Sequence, residues 1–212
     1  MSEYTLYCFA QSGNAYKVAL ALELAGADWQ PRFVDFFKGE TRRPEYQAIN
    51  AMGEAPVLEH GQVRLSQSGV ILDYLTGTLD RYGPETEEER REILRWTLWD
   101  NHKLTGNIAT LRFMMNFAPA GKREPAVIAF LKARSRAALK VLDAHLADRD
   151  WIAAPRLTTA DLSCIGYMFY ADEFGTNLAT EHPNVARWRD AVAALPGWKH
   201  PYDLMPGHPL PA

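Results

Sequence analysis

Hydrophobic positions change period partway along the chain. Tyr4 to Phe9 is a short apolar run suited to a buried strand. Ser12-Gly13-Asn14 is a turn signal, after which Tyr16, Val18, Ala19, Leu22 and Ala25 recur at helical spacing and stop at Gly26. Residues 29–36 read as a second strand, placed at a sheet edge by Pro31. Residues 43–50 are expected to form a short helix. Val57–Glu59 and Val63–Leu65 flank His60-Gly61, a hairpin signal, and Gln67–Leu79 reads as a helix.

From Asp80 the pattern becomes helical throughout. Thr86-x-x-Glu89 predicts a capping box that opens a long helix. Ile93, Trp96, Leu104, Ile108, Leu111 and Met115 mark its apolar face as far as Pro119. Further helices are predicted over Glu124–Leu146, from Thr158-Thr-Ala-Asp161, and over Pro183–Leu195. Thr158 is expected to cap and Asp161 to favour the positive helix end, with Leu157 and Leu162 as a hydrophobic staple. The tail from Pro196 holds five prolines and no periodicity, so it is expected to lie extended over the surface. The predicted architecture is an α/β domain over 1–80, a short linker, and an all-helical domain over 87–212.

Composition narrows the class. The chain has 212 residues, 47% hydrophobic, enough apolar material for a real core. Lys plus Arg is 23 and Asp plus Glu is 26, a balance that gives no general pull toward nucleic acid. Cys8 and Cys164 are too few for a disulfide framework or a four-thiolate zinc site, and both sit in apolar runs. The six histidines show no ligand spacing, so no metal is expected. The start, MSEYTLYCFAQSGN, lacks the basic residues and apolar run of a signal peptide, and no apolar stretch approaches the ~20 residues of a membrane span. The expectation is a cytoplasmic protein with reduced thiols and no membrane partner.

Three places could carry chemistry. The turn before the first helix offers unpaired N–H groups and about half a positive charge, which favour an anion or a thiolate. Ser12 and Asn14 stand there; each could donate to a thiolate, and each could merely cap the helix. Ala55-Pro56 precedes the third strand. A cis bond there would turn the backbone of Ala55 outward, toward an extended peptide; an ordinary trans proline starting a strand is the plainer reading. Gln67-Ser68 opens the last helix of the first half, where a serine at a helix start suits a carboxylate or serves as a cap.

Taken together, SGNAYKVALALELAG, FFKGETRRPEYQAINAMGEAPVL, LSQSGVILDYL and the later LTTADL resemble, in order and spacing, the glutathione transferase superfamily. The resemblance spans essentially the whole chain and is strongest to bacterial members with Ser or Thr and Asn after strand one. It implies a thioredoxin-like N-terminal domain with glutathione as co-substrate. Ala55, beside a cis Pro56, would bind the cysteinyl part through its backbone, and Gln67 and Ser68 would hold the γ-glutamyl end. Lys38 and Arg42 would approach the glycyl carboxylate, although each also reads as a solvated loop charge. Ser12 or Asn14 would hold the thiol as thiolate. Lowering a thiol pKa by ~2 units corresponds to ~2.7 kcal/mol, which a charge-assisted hydrogen bond and a helix end can supply.

The electrophile would use residues among Trp99, Thr110, Phe113, Met114 and Phe117, most of which read more readily as core than as substrate contacts. A homodimer is implied. Gln67 departs from the superfamily, which usually has an acid before the serine; Asp100 of a dimer partner is one candidate for the missing charge, and a structural hydrogen bond within the bundle is its other role. Cys8 lies inside the strand, before the helix start, and is expected to be a buried structural thiol. The implied activity is transfer of glutathione to an electrophilic carbon. The alternatives are glutathione-dependent reduction of disulfides or peroxides, and a non-catalytic binding protein on the same fold.

Overall fold

The computed structural model describes residues 2–207. It divides into two compact units. One comprises the described residues up to Gly83 together with those from Leu195 onward; the other is Pro84–Ala194.

In the first unit a mixed sheet of four strands forms among the described residues, in the order β2-β1-β3-β4. The strands are β1 Tyr4–Cys8, β2 Trp29–Phe33, β3 Val57–His60 and β4 Val63–Ser66. β1 is interior and pairs parallel to β2 and antiparallel to β3. Its Tyr4, Leu6, Tyr7 and Cys8 are accordingly buried. Pro31 lies in register with Leu6 on the edge strand, where a missing N–H is tolerated. β2 is shorter than expected. Past Phe33 the chain makes one more bond, from Val34 N–H to Cys8 O, and then bends where Phe36 N–H donates to Val34 O.

Helix α1, Gly13–Leu24, packs against β1 and against α3, Ser68–Leu79. This double burial explains its apolar composition on nearly every side, including Leu20 and Leu22 with no exposed surface. Between β2 and β3 lie a 3-10 turn, Glu40–Arg42, and the short helix α2, Pro44–Gln47.

The tail corrects an expectation. It is not extended over the surface: Pro201–Leu204 forms a helical turn that packs on α1, with Pro201, Leu204 and Met205 buried. Proline at the first helical position is compatible with a helix start, because its missing N–H is one that has no intrahelical partner. Lys199 O accepts from Tyr16 Oη at 3.0 Å, and Lys199 Nζ pairs with Glu23 at 2.6 Å. The tail therefore groups with the first unit, where the sequence reading carried the helical domain to 212. The remainder of the expected tail, 208–212, lies outside the described residues.

The second unit holds α4 Glu87–Trp99, α5 Thr105–Asn116, α6 Pro125–His145, α7 Thr159–Cys164, α8 Leu178–Glu181 and α9 Pro183–Ala193, with an irregular 3-10 segment over Ile165–Phe174. The single long helix expected up to Pro119 is interrupted. Asp100–Leu104 forms a π-turn between α4 and α5. Gly106 suits this turn, because a Cβ there would stand 2.9 Å from Asn101 O.

The capping box at Thr86 is only half formed. Thr86 Oγ1 accepts from Glu89 N–H at 3.1 Å, but Glu89 reaches back to Glu85 N–H and binds Arg156 with both oxygens, at 2.9 and 2.8 Å. At α7 the box is complete, and Asp161 accepts from Thr158 N–H at 2.9 Å. Ile152 N–H and Trp188 Nε1 also donate to this fully buried carboxylate. Burial nevertheless pushes Asp161 up to about 6.

Candidate functional site

The site is built from the C-terminal end of β1 outward. Phe9 ends the strand run, and its carbonyl accepts from Ser12 N–H at 2.9 Å, which folds the chain into α1. Ser12 is the N-cap, with extended backbone and only 6% exposure. Its Oγ accepts from Ala15 N–H at 3.1 Å. That bond uses a lone pair and leaves the hydroxyl proton available to donate. Asn14 is half-buried, and its Oδ1 is buried without a hydrogen-bond partner among the described residues. An uncommitted amide at a helix start is unusual enough to need an explanation. Gln11 and Ala10 brace the same turn from the tail side: Ala10 N–H donates to Pro206 O at 2.6 Å, and Gln11 Nε2 to Gly207 O at 2.5 Å.

Cys8, just inside the strand, is completely buried, and that burial pushes its thiol up to about 12. Its thiolate is inaccessible at neutral pH, in keeping with a structural thiol.

Aromatic packing brings the other predicted residues toward Phe9. Phe36 stacks on Phe9 at 4.9 Å and Phe37 meets it edge-on at 5.9 Å, so the segment leading to Lys38 runs beside the turn. Ala55 packs on the same cluster of Tyr7, Phe9, Val34, Tyr46 and Val57. The Ala55–Pro56 bond is cis. Ala55 makes no main-chain hydrogen bond to another described residue, so its N–H and C=O remain open to an extended ligand.

Gly53, at φ +63°, lets this loop approach Thr41 O; a Cβ would stand 3.0 Å from it. Arg42, next to Thr41, is exposed and has no ion-pair partner among the described residues, whereas Lys38 pairs with Asp35 at 3.2 Å on the surface. The latter arrangement is the solvated one, since an exposed i,i+3 pair is weak and easily exchanged.

Ser68 is buried at the first position of α3. Gln67 before it takes φ +67° and ψ 111° and is exposed. Its Nε2 donates to Glu54 Oε2 at 2.9 Å, which ties the start of α3 to the loop carrying Ala55. Glu54 is a neighbour of Gln67 that sequence reasoning missed. Its only sequence signal was an acid one position before Ala55-Pro56; the link to Gln67 spans 13 residues.

Asp100 does not supply the charge that Gln67 lacks. Its side chain is fully buried inside the helical unit, where Thr105 donates to Oδ1 at 2.7 Å and Ser163 to Oδ2 at 2.6 Å. Full burial with a hydroxyl on each oxygen fits the structural of its two expected roles.

The expected electrophile contacts are not gathered in one place. Phe113 is exposed and pairs with half-buried Phe117 at 6.3 Å. Met114 is half-buried, and Thr110 donates back to Gly106 O at 2.8 Å. Trp99 instead packs on Trp96 at 5.0 Å and lines a separate cavity of about 260 Å³ with Lys103, Asn107, Arg134 and Val141.

A mixed sheet with a cis-proline before β3, followed by an all-helical unit, defines the glutathione transferase fold, and comparison with known proteins agrees. The glutathione S-transferase N-terminal domain family matches residues 2–77, and the C-terminal domain family matches 105–196. Glutathione S-transferase 4 of Zea mays is 30% identical over 210 residues, covering 95% of this chain and 92% of the relative. A crystal structure of a possible glutathione S-transferase from Rhodopseudomonas palustris is 34% identical with a TM-score of 0.88, covering 100% of this chain and 93% of the other. Ure2p in complex with glutathione, at 22% identity, shares the fold with a TM-score of 0.84 over 92% of this chain and 91% of its own. The chain belongs to the glutathione transferase superfamily.

Proposed function

We propose that the protein is a glutathione transferase enzyme. It binds glutathione on the N-terminal unit, holds the sulfur as thiolate at the start of α1, and directs it at an electrophilic carbon of a small molecule. The observation that carries this reading is Ser12. Its hydroxyl oxygen caps the helix while its proton stays free, at a nearly dry position beside the positive helix end.

Binding of the thiol there releases its proton to solvent. The sulfur lone pair then forms the S–C bond, and the electron pair of the broken bond leaves with the displaced group or moves into the acceptor. Proximity and a pre-set donor supply the acceleration, with no covalent enzyme intermediate.

The other residues would serve binding. Ala55, beside Pro56, offers main-chain groups to the cysteinyl unit, and Ser68 with the first turn of α3 takes the γ-glutamyl carboxylate. Arg42 is suited to the glycyl carboxylate, with Lys38 available after exchange from Asp35. Phe113, Met114 and Phe117 offer apolar surface to a hydrophobic electrophile. A homodimer and a cytoplasmic setting belong to the same reading.

Ser12→Ala and Asn14→Ala, compared by steady-state turnover with an activated aryl halide and by calorimetric glutathione affinity, test it. Ser12→Ala should cut turnover ~10–100-fold while affinity changes by less than ~3-fold. Undiminished turnover in both variants removes the proposed thiolate donors, and an absence of turnover in the unmodified protein that still binds glutathione identifies a binding protein instead.

A further inference from the structure

The γ-glutamyl end of glutathione carries two charges on one carbon, a carboxylate and an ammonium. The start of α3 and the Ser68 hydroxyl suit the carboxylate, but Gln67 is neutral and Asp100 is sealed inside the helical unit. The ammonium therefore lacks an obvious partner, and the loop before Pro56 holds one.

Glu54 is exposed and has no Lys or Arg partner among the described residues. Its position is nonetheless set from both sides. The main-chain carbonyl of Glu54 accepts from Tyr46 Oη at 2.9 Å and from Asn50 Nδ2 at 2.8 Å. Those two donors are themselves nearly dry, Tyr46 at 2% and Asn50 at 6% exposure. From the other side Gln67 Nε2 holds Oε2 of the carboxylate at 2.9 Å and also touches Met52 Sδ at 3.1 Å.

Gln67 reaches Glu54 from a backbone conformation, φ +67° and ψ 111°, that residues with a side chain seldom adopt. The hydrogen bond uses the amide nitrogen of Gln67 and one carboxylate oxygen. It leaves the Gln67 carbonyl and the second Glu54 oxygen as further acceptors on two residues already linked to each other, Gln67 being the N-cap of α3. Two acceptors, one of them charged, beside an anion-favouring helix start match an α-amino acid head group.

We propose that Glu54, oriented by Gln67, binds the γ-glutamyl ammonium of glutathione and supplies the charge missing from position 67. This rests on the glutathione reading above. Glu54 is the binding residue, and Gln67 both positions it and adds a second acceptor.

The test compares glutathione with glutaryl-cysteinyl-glycine, which keeps the thiol and both carboxylates and lacks only the ammonium. Affinities are measured by calorimetry at neutral pH for the unmodified protein, Glu54→Gln, and the double variant Glu54→Gln with Gln67→Glu, each checked for folding by circular dichroism. Glu54→Gln should weaken glutathione ~10-fold or more and leave the des-amino analogue unchanged, since one charge-assisted hydrogen bond is lost. Moving the charge to position 67 in the double variant should recover most of that loss. Unchanged glutathione affinity in Glu54→Gln, or equal loss for both ligands, overturns the assignment while leaving glutathione binding intact. If the unmodified protein binds neither ligand, the glutathione reading itself fails.

Discussion

A serine hydroxyl has two acceptor lone pairs and one proton, so Ser12 can close the first turn of α1 and still donate. Capping and thiolate binding looked like competing roles along the sequence; the bond to Ala15 makes them compatible. Asp100 went the other way. Of its two expected roles, ligand charge from a dimer partner or a structural hydrogen bond, the structure favours the second: it is buried with a hydroxyl donor on each carboxylate oxygen. Such a group stabilises rather than binds. Asp100→Asn should lower stability by ~1–3 kcal/mol, because one hydroxyl then faces a donor, and should leave glutathione affinity unchanged. Denaturant unfolding and calorimetry read the two effects separately; lost affinity at unchanged stability would contradict this assignment. The acid that does stand near Gln67 was invisible to pattern reading, because an exposed Glu in a loop has no periodic signal and its partner is chosen by the fold.

At the level of elements, local signals were the readable ones. The β1 run, the α1 repeat ended by Gly26, the hairpin and the Thr158–Asp161 cap depend on neighbours a few residues away, and they form where their signals lie. Long-range partners were not readable. Glu89 fulfilled half of its capping motif and gave its carboxylate to Arg156, 67 residues further on. The hydrogen bonds from Arg156, helped by Glu85 N–H, hold Glu89 down at about 2 against an ordinary value of 4.5. A carboxylate depressed by folding adds stability above its unfolded pKa and loses it as pH falls through the folded value. The melting temperature of Glu89→Gln should therefore lie below that of the unmodified protein at neutral pH, with the gap closing as pH falls from about 4.5 toward 2. Parallel melting profiles across that range would show that the pair contributes nothing. The π-turn at Asp100–Leu104 was equally hidden, since one extra residue in a turn barely disturbs an apolar repeat.

For the whole molecule, the fold class was legible because strand, helix and hairpin signals followed one another in a recognisable order. The destination of the tail was not. Five prolines suggested an extended strap, yet apolar Leu204 and Met205 had somewhere to be buried, and Lys199 found both Tyr16 and Glu23 on α1. The tail thus braces the residues that lead into Ser12, through Pro206 and Gly207. Among the described residues no helix is long and apolar enough to cross a membrane. What unites the fold with the proposed chemistry is one claim, that the start of α1 stabilises a thiolate delivered by glutathione. Ultraviolet difference absorbance, following thiolate formation of protein-bound glutathione against pH, addresses it directly. Thiolate stabilisation at this turn should give a thiol pKa ~2 units below that of the free peptide, with the shift diminished in Ser12→Ala. Bound glutathione that titrates like the free peptide would contradict it.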